Sequence, residues 1–206
     1  MLDRSFLAPH ALARWAAETP DNIAVEHTNG DSLSFSTLLH QSLEFATALR
    51  RIGVERGTHV GTFLPNVFDA HRTLLAIGWL RGVEVPLNTG YVGSLLEYAI
   101  NLSDITTLVA TAEYAERLRE IAPRLTTLQT VVIIDGGPLS PLPFRTIARA
   151  EFLAGAEPAE GLDGPEYSDI AALLFTSGTT GPSKAVITPW AVIHQFWSFP
   201  PEDRCV

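Results

Sequence analysis

The chain has 206 residues, of which 46% are hydrophobic and 18% are charged, and its formal net charge is -9 at pH 7. This composition is that of a folded globular protein of one or two domains, and the acidity argues against a nucleic acid partner. With no apolar run near the ~20 residues of a membrane span, no signal-peptide pattern and one cysteine, Cys205, we expect a cytoplasmic protein without a transmembrane segment or internal disulfide.

The first fifty residues predict a helix, a hairpin and a second helix. Amphipathic spacing predicts a helix over 7–17, which Thr19-Pro20 ends. Apolar stretches at 23–26 and 32–35 flank the turn-forming sequence Thr28-Asn29-Gly30-Asp31 and predict a β-hairpin. A 3.6-residue apolar period then predicts a helix over 37–52, closed at Gly53.

From residue 59 onward, strand patterns alternate with helix patterns. This alternation predicts an α/β fold with a largely parallel sheet and helices on both faces. Thr188-Pro189 matches a helix N-cap followed by the first helical residue. The predicted strands are 60–64, 83–86, 107–110, 130–134, 170–175 and 185–187, and the predicted helices are 66–80, capped by Asn66, 94–102 and 113–121.

The segment Leu173-Leu174-Phe175-Thr176-Ser177-Gly178-Thr179-Thr180-Gly181-Pro182-Ser183-Lys184 carries the most chemical information. Gly178 and Gly181 allow backbone angles closed to other residues, so that successive amide N–H groups can converge on an anion. The hydroxyl groups of Thr176, Ser177, Thr179 and Thr180 add donors, and Lys184 adds a positive charge. This set of donors predicts a polyphosphate-binding loop.

Two alternatives compete with that interpretation. A polar hairpin turn could use the same Gly and Pro residues without any ligand. A kinase-like or GTPase-like phosphate loop requires Ser or Thr after its lysine, and Ala185 contradicts it.

The string from Leu173 to Lys184 resembles the Ser/Thr/Gly-rich signature of the AMP-forming adenylate-forming enzymes, which include acyl-CoA synthetases, luciferases and peptide-synthetase adenylation domains. The chain departs from the family pattern after Lys184: the family usually continues Lys-Gly-Val and reaches a Thr-His pair, whereas this chain reads Lys184-Ala185-Val186-Ile187-Thr188-Pro189-Trp190 and lacks that glycine and that histidine. The resemblance covers roughly residues 10 to 198, and further similar stretches are Asn66-Val67-Phe68, Leu80-Arg81-Gly82-Val83-Glu84-Val85-Pro86-Leu87-Asn88, Leu95-Leu96-Glu97-Tyr98 and Ser103-Asp104.

The resemblance implies ATP-dependent activation of a small-molecule carboxylic acid to an acyl-adenylate, followed by transfer to coenzyme A, with Mg²⁺ assisting and a place in fatty acid metabolism. It implies that the chain is the first part of the large N-terminal domain, so that 1–206 is an incomplete AMP-binding domain, the C-terminal domain is absent and the chain alone is inactive. A non-catalytic nucleotide- or partner-binding domain, and an adenylation domain of the peptide-synthetase or luciferase type, are the alternatives. The residues implied to bind the β- and γ-phosphates are Thr176, Ser177, Gly178, Thr179, Thr180, Gly181 and Lys184, of which Lys184 is also implied to be catalytic.

Other polar groups give weaker signals. The segment 151–169 holds six carboxylates and no Lys or Arg, which predicts a solvated, Gly/Pro-rich connection rather than a magnesium site. The six histidines are scattered without metal-ligand spacing, so we expect no metal site. Trp79, Trp190 and Trp197 are interpreted as core residues, although Trp190 or Trp197 could line an acyl pocket. Arg117 pairs at i,i+4 spacing with Glu113 and is expected on a solvated helix face.

Overall fold

A computed structural model describes residues 3–138, 140–176 and 183–193. Within these ranges the chain forms an α/β fold around one large sheet. The helices are α1 (Ala8–Glu18), α2 (Phe35–Arg51), α3 (Phe68–Trp79), α4 (Gly93–Leu102), α5 (Ala112–Glu116), α6 (Leu118–Ile121), α7 (Arg149–Phe152) and α8 (Trp190–Ile193). The strands are β1 (Ile23–Glu26), β2 (Ser32–Ser34), β3 (His59–Phe63), β4 (Val83–Pro86), β5 (Thr107–Ala110), β6 (Thr130–Ile133), β7 (Arg145–Ala148), β8 (Ile170–Thr176) and β9 (Lys184–Pro189).

The large sheet has seven strands in the order β7-β6-β5-β3-β4-β8-β9. All neighbouring pairs from β7 to β8 are parallel, and only the last pair, β8 with β9, is antiparallel. Strands β5 and β6 are buried at every position, as expected for parallel strands covered on both faces. The predicted fold class is therefore confirmed.

Two layers of helices cover the sheet. Helices α4, α5 and α6 pack on one face, where Leu96 and Leu118 belong to the same buried cluster as Leu108 of β5. Helices α2 and α3 pack on the other face, where Phe45 and Ile77 are the representative contacts. Because side chains alternate along a strand, Val109 of β5 faces this second layer.

A third apolar cluster joins the two ends of the described chain. It combines α1, the β1–β2 hairpin and α8. Trp190 is 1% exposed and packs in this cluster with Leu7, Leu12 and Ala171, and Trp79 is also buried, so the core interpretation is confirmed for both tryptophans. Trp197 lies outside the described residues. None of the helices in the described part has the length and apolar character needed to cross a membrane.

Three local predictions were wrong. The helix expected over 113–121 breaks at Arg117, whose N–H bonds to the carbonyl of Tyr114 and so closes a tighter turn. Val67, rather than Asn66, is the N-cap of α3 and makes no side-chain capping bond. Pro189 ends β9 instead of opening a helix, because its segment continues the antiparallel pairing with Ile170.

The strand β7 and the helix α7 were not predicted. β7 reads Arg-Thr-Ile-Ala and buries only Ile147, so it lacks an apolar pattern long enough to detect. It lies at the edge of the sheet, where the parallel pairing to β6 rather than burial defines it as a strand.

Candidate functional site

The hairpin of β8 and β9 forms the candidate site. β8 runs parallel to β4, so its last residue, Thr176, lies at the edge of the sheet where the parallel strands end. β9 begins at Lys184 and returns along β8 in the opposite direction. In open α/β sheets this carboxyl edge is where ligands usually bind.

Thr176 and Lys184 are register partners across the hairpin, and both side chains are exposed. The pairing places the predicted hydroxyl donor and the predicted cation opposite each other. The remaining predicted phosphate-binding residues, Ser177, Gly178, Thr179, Thr180 and Gly181, lie outside the described residues. Lys184 is also the only lysine in the chain, since the other thirteen basic residues are arginines.

The loop after β4 lies next to this hairpin, and the sequence assigned no role in the site to its residues. Asn88 closes a tight turn by accepting a 2.8 Å hydrogen bond from the Gly90 N–H through its side-chain oxygen. The ring of Tyr91 then meets the ring of Phe175, with centroids 6.5 Å apart and planes at 85°. Phe175 directly precedes Thr176, so the loop contacts the base of the predicted phosphate-binding segment.

A partly buried ion-pair network lies beside the same edge, at the start of α3. Asp69 accepts hydrogen bonds from Arg72 at 2.6 Å and from Arg149 at 2.5 Å. Arg149 follows β7 and also donates to the Ile134 carbonyl, just past the end of β6. Because its two arginine partners neutralise Asp69, this network fixes the loops around the edge and leaves the Asp69 carboxylate without a free charge.

Glu84 is an acidic residue within the sheet. Val83 and Val85 face the layer of α4–α6, so the side chain of Glu84 points to the opposite face, where it accepts a 2.8 Å hydrogen bond from the Thr62 hydroxyl. Burial raises the pKa of Glu84 to about 7, and the bond from Thr62 offsets only part of that effect. Glu84 has a register partner, Ala172, in β8, the strand that leads to the candidate site.

Asp169 anchors the other end of β8. The residue is 8% exposed, so the prediction of a solvated connection over 151–169 was wrong at this position. Arg81 holds its carboxylate through two hydrogen bonds of 2.7 and 3.1 Å, and Arg56 adds a third at 3.1 Å. Burial alone would raise the pKa of Asp169, but the bonds from Arg81 and the Glu166 N–H, with the two arginine charges, hold it below its usual value.

The remaining carboxylates and histidines form no metal centre in the described part of the chain. In residues 3–138, 140–176 and 183–193, no group of three or more His, Cys, Asp or Glu is arranged to hold a metal ion. His10 instead bonds to the Pro165 carbonyl and His59 to the Ser103 carbonyl, which are structural contacts.

Known proteins resemble this chain over most of its length. A 3-oxocholest-4-en-26-oate–CoA ligase of Rhodococcus rhodochrous is 27% identical over 171 residues, which are 82% of this chain and 30% of that protein. A medium/long-chain-fatty-acid–CoA/3-oxocholest-4-en-26-oate–CoA ligase of Mycolicibacterium smegmatis is 29% identical over 88% of this chain and 32% of its own length. The solved structure of the anthranilate CoA ligase AuaEII in complex with anthranoyl-AMP superposes with a TM-score of 0.82 at 19% identity, covering 95% of this chain and 36% of that one, which shows a shared fold.

The chain thus spans about a third of the length of these relatives. The family profile described as AMP-binding enzyme matches residues 12–201, which include the whole β8–β9 hairpin. With this match and the parallel α/β sheet, the chain belongs to the AMP-binding enzyme family of AMP-forming, adenylate-forming enzymes.

Proposed function

We propose that this chain supplies the phosphate-binding part of an AMP-forming acyl-CoA ligase. The reaction joins ATP and a small-molecule carboxylic acid to give an acyl-adenylate and pyrophosphate, and the acyl group then passes to coenzyme A. The observation that carries the proposal is the pairing of Thr176 with Lys184, which brackets the Ser/Thr/Gly-rich segment at the carboxyl edge of the sheet. The relatives named as CoA ligases support the same reaction class.

The donors of the segment match the charge that develops in this reaction. When the carboxylate oxygen attacks the α-phosphorus of ATP, negative charge moves onto the departing pyrophosphate. The Lys184 ammonium group and the hydroxyl of Thr176, with the donors of Ser177–Gly181, would hold the β- and γ-phosphate oxygens and stabilise that charge. The segment offers donors rather than carboxylate ligands, so Mg²⁺ would enter bound to the ATP phosphates and would neutralise part of their charge.

Energetics limit what this segment can do by itself. Charge-assisted hydrogen bonds contribute about 1.5–3 kcal/mol each, so three or four give roughly 5–12 kcal/mol. Association costs about 4–15 kcal/mol before any affinity remains. We therefore expect the 206-residue chain to bind ATP with a Kd no better than about 1 mM, near -4 kcal/mol.

The single lysine allows a direct test of phosphate binding. Reductive methylation with ¹³C-formaldehyde labels the side-chain amine of Lys184 and the α-amino group, and it keeps their charge. Titration with ATP or tripolyphosphate should shift the Lys184 methyl signal in the millimolar range, while AMP, which lacks the β- and γ-phosphates, should shift it much less. Equal responses to AMP and ATP, or a response confined to the α-amino signal, would contradict the proposal.

Catalysis is tested by carboxylate-dependent exchange of pyrophosphate into ATP. We expect no exchange above background from the 206 residues alone, because they span about a third of the relatives. In a longer polypeptide that carries this sequence, Lys184→Ala should slow exchange by about 10²-fold, as loss of one oxyanion donor does elsewhere. Unchanged exchange in that variant would refute the role of Lys184.

A further inference from the structure

Arg117 connects the α5–α6 junction to the loop that follows β4. One guanidinium nitrogen, Nη1, donates to the Thr89 carbonyl at 2.5 Å and to the Tyr91 carbonyl at 3.2 Å. The guanidinium group also lies over the rings of Tyr114 and Phe63, 4.6 and 5.6 Å from their centroids. Two charge-assisted bonds to backbone and two aromatic faces hold this side chain in one place.

The loop that Arg117 holds in turn contacts the β8–β9 hairpin. Tyr91 meets Phe175 edge to face, and Phe175 has Ala185 as its register partner across the hairpin. All three side chains are half-buried against the apolar cluster beneath α4–α6. The next residue pair along the hairpin is Thr176 with Lys184, the two described ends of the predicted phosphate-binding segment.

We infer that Arg117 and Tyr91 are positioning residues for the phosphate-binding segment. Arg117 holds the loop after β4 in place. The ring of Tyr91, in that loop, holds the Phe175–Ala185 pair, which directly adjoins the Thr176–Lys184 pair. The inference rests on the proposed function, since it assigns these residues to the same site. Neither side chain is required to touch the nucleotide. Their effect is geometric, and misplacement of a binding group by about 1 Å is enough to lower a rate by 10²-fold.

The first experiment measures how firmly the base of the segment is held without nucleotide. Amide hydrogen exchange is followed at Lys184 and Ala185, with Val109 and Val132 of the central strands as internal references. Tyr91→Ala should speed exchange at the hairpin roughly 3- to 10-fold, the loss expected for one edge-to-face aromatic contact, and leave the references unchanged. Tyr91→Phe, which keeps the ring, should restore wild-type exchange at the hairpin.

Arg117→Lys and Tyr98→Ala complete this set of variants. Arg117→Lys keeps the charge but loses the planar group that reaches two carbonyls, so it should behave like Tyr91→Ala. Tyr98 is an exposed tyrosine of α4, and Tyr98→Ala should match the wild type. Wild-type exchange at the hairpin in Tyr91→Ala, or an equal increase at the hairpin and at the reference amides, would overturn the inference.

The second experiment measures the ATP response of the methylated Lys184 amine in the same variants. The Kd for ATP should rise roughly 3- to 10-fold in Tyr91→Ala and return to the wild-type value in Tyr91→Phe. An ATP response in Tyr91→Ala equal to that of the wild type would overturn the positioning role and leave the proposed function intact. A wild-type chain without any ATP response would refute the proposed function itself, and the exchange measurements would still decide whether Tyr91 holds the hairpin.

Discussion

Glu84 is an acidic residue in β4, between two strands of a largely apolar sheet. Its neighbours in the chain, Val83 and Val85, are buried on one face, while its own carboxyl group bonds to Thr62 on the other. Its pKa in the folded chain is about 7, against an ordinary value of 4.5. The folded state therefore binds the proton more tightly than the unfolded state does.

This difference predicts a pH-dependent stability. The cost of burying the Glu84 charge is absent below about pH 4.5, grows as the pH rises and is complete above about pH 7, where it reaches roughly 3 kcal/mol. Glu84→Gln keeps the hydrogen-bonding shape and removes the charge, so its free energy of unfolding should exceed that of the wild type at pH 8 and match it near pH 4.5. Urea denaturation at both pH values measures this, with the exposed Glu18→Gln as the control. An equal effect of Glu84→Gln at both pH values would contradict the explanation.

In Asp169, unlike Glu84, ion pairs outweigh the cost of burying the charge, so the pKa is lowered. Its carboxylate is buried but held by Arg81 and Arg56, and Arg81 itself has a left-handed backbone with φ 57°, which costs a non-glycine residue about 1 kcal/mol or more. We expect Asp169→Asn to lower the free energy of unfolding by about 2 kcal/mol, because it leaves the Arg81 charge unpaired. Asp163→Asn changes an exposed carboxyl in the same segment and should have little effect. Chemical denaturation of both variants at pH 7 tests this; equal losses of stability would rule out a special role for the ion pairs.

At the scale of elements, the packing of α3 depends on the absence of a side chain at Gly78. A Cβ atom there would lie 2.9 Å from the Pro9 ring and 2.9 Å from the Trp190 ring, so α1, α3 and α8 meet at this point. Helix propensity favours alanine over glycine by about 1 kcal/mol, but overpacking a rigid contact costs about 1–3 kcal/mol. The two effects on the free energy of unfolding oppose each other. Because both contact distances are short, we expect the overpacking cost to be the larger.

Gly78→Ala should therefore destabilise the chain by a net of up to about 2 kcal/mol. In the Trp190→Phe background the Trp190 atoms in contact are removed while the Pro9 contact remains, so Gly78→Ala should cost less stability there than in the wild type. Thermal and urea unfolding of the wild type, the two single variants and the double variant gives the coupling free energy between positions 78 and 190. Additive effects of the two substitutions would show that Trp190 is not the obstacle.

The elements that sequence predicted well are those whose signal is local. The bounds of β4 and β5 match the prediction because each has a short run of strand-forming residues that is buried at alternate positions in β4 and at every position in β5. The break at Arg117 was missed, and the Arg117 side chain bonds there to the loop after β4, more than 25 residues earlier in the chain, which no local pattern reports. Asp169 was misassigned for the same reason, since its partner Arg81 is 88 residues away.

In the candidate site, too, the local features were predicted and the contacts between distant residues were not. Its chemistry was predicted from consecutive residues, and the return strand expected at 185–187 was confirmed, although β9 begins one residue earlier at Lys184. The contacts that hold the hairpin in place could not be predicted. The contact of Tyr91 with Phe175 depends on β4 and β8 becoming neighbours in the sheet, although more than 80 residues separate them in sequence.

At the scale of the whole molecule, β9 is the last strand of the large sheet in the part of the chain that the structure describes. Among the described residues it pairs only with β8, and its Val186 and Ile187 are 46% and 62% exposed, on opposite faces. An exposed apolar edge strand is a site of strand-to-strand association between chains. The geometry therefore predicts that the isolated chain associates as its concentration rises.

Ile187→Lys should weaken that association, because a charge on an edge strand opposes pairing with another chain. Sedimentation velocity over a range of concentrations measures the effect. Val192→Lys places the same charge at an apolar residue of α8 that is 49% exposed, and it should leave the association unchanged. If both lysine variants weaken association alike, net charge rather than the strand edge is responsible.

The opposite placement of Thr176 and Lys184 also determines when the two ends of the segment between them are brought together. The β-ladder brings the two residues together during folding, so the entropy of closing the short stretch between them is lost before any nucleotide arrives. That entropy depends only logarithmically on length, and doubling a loop costs about 0.6 kcal/mol. Insertions between these two residues should thus be nearly neutral for folding, and their consequences should fall on nucleotide affinity instead.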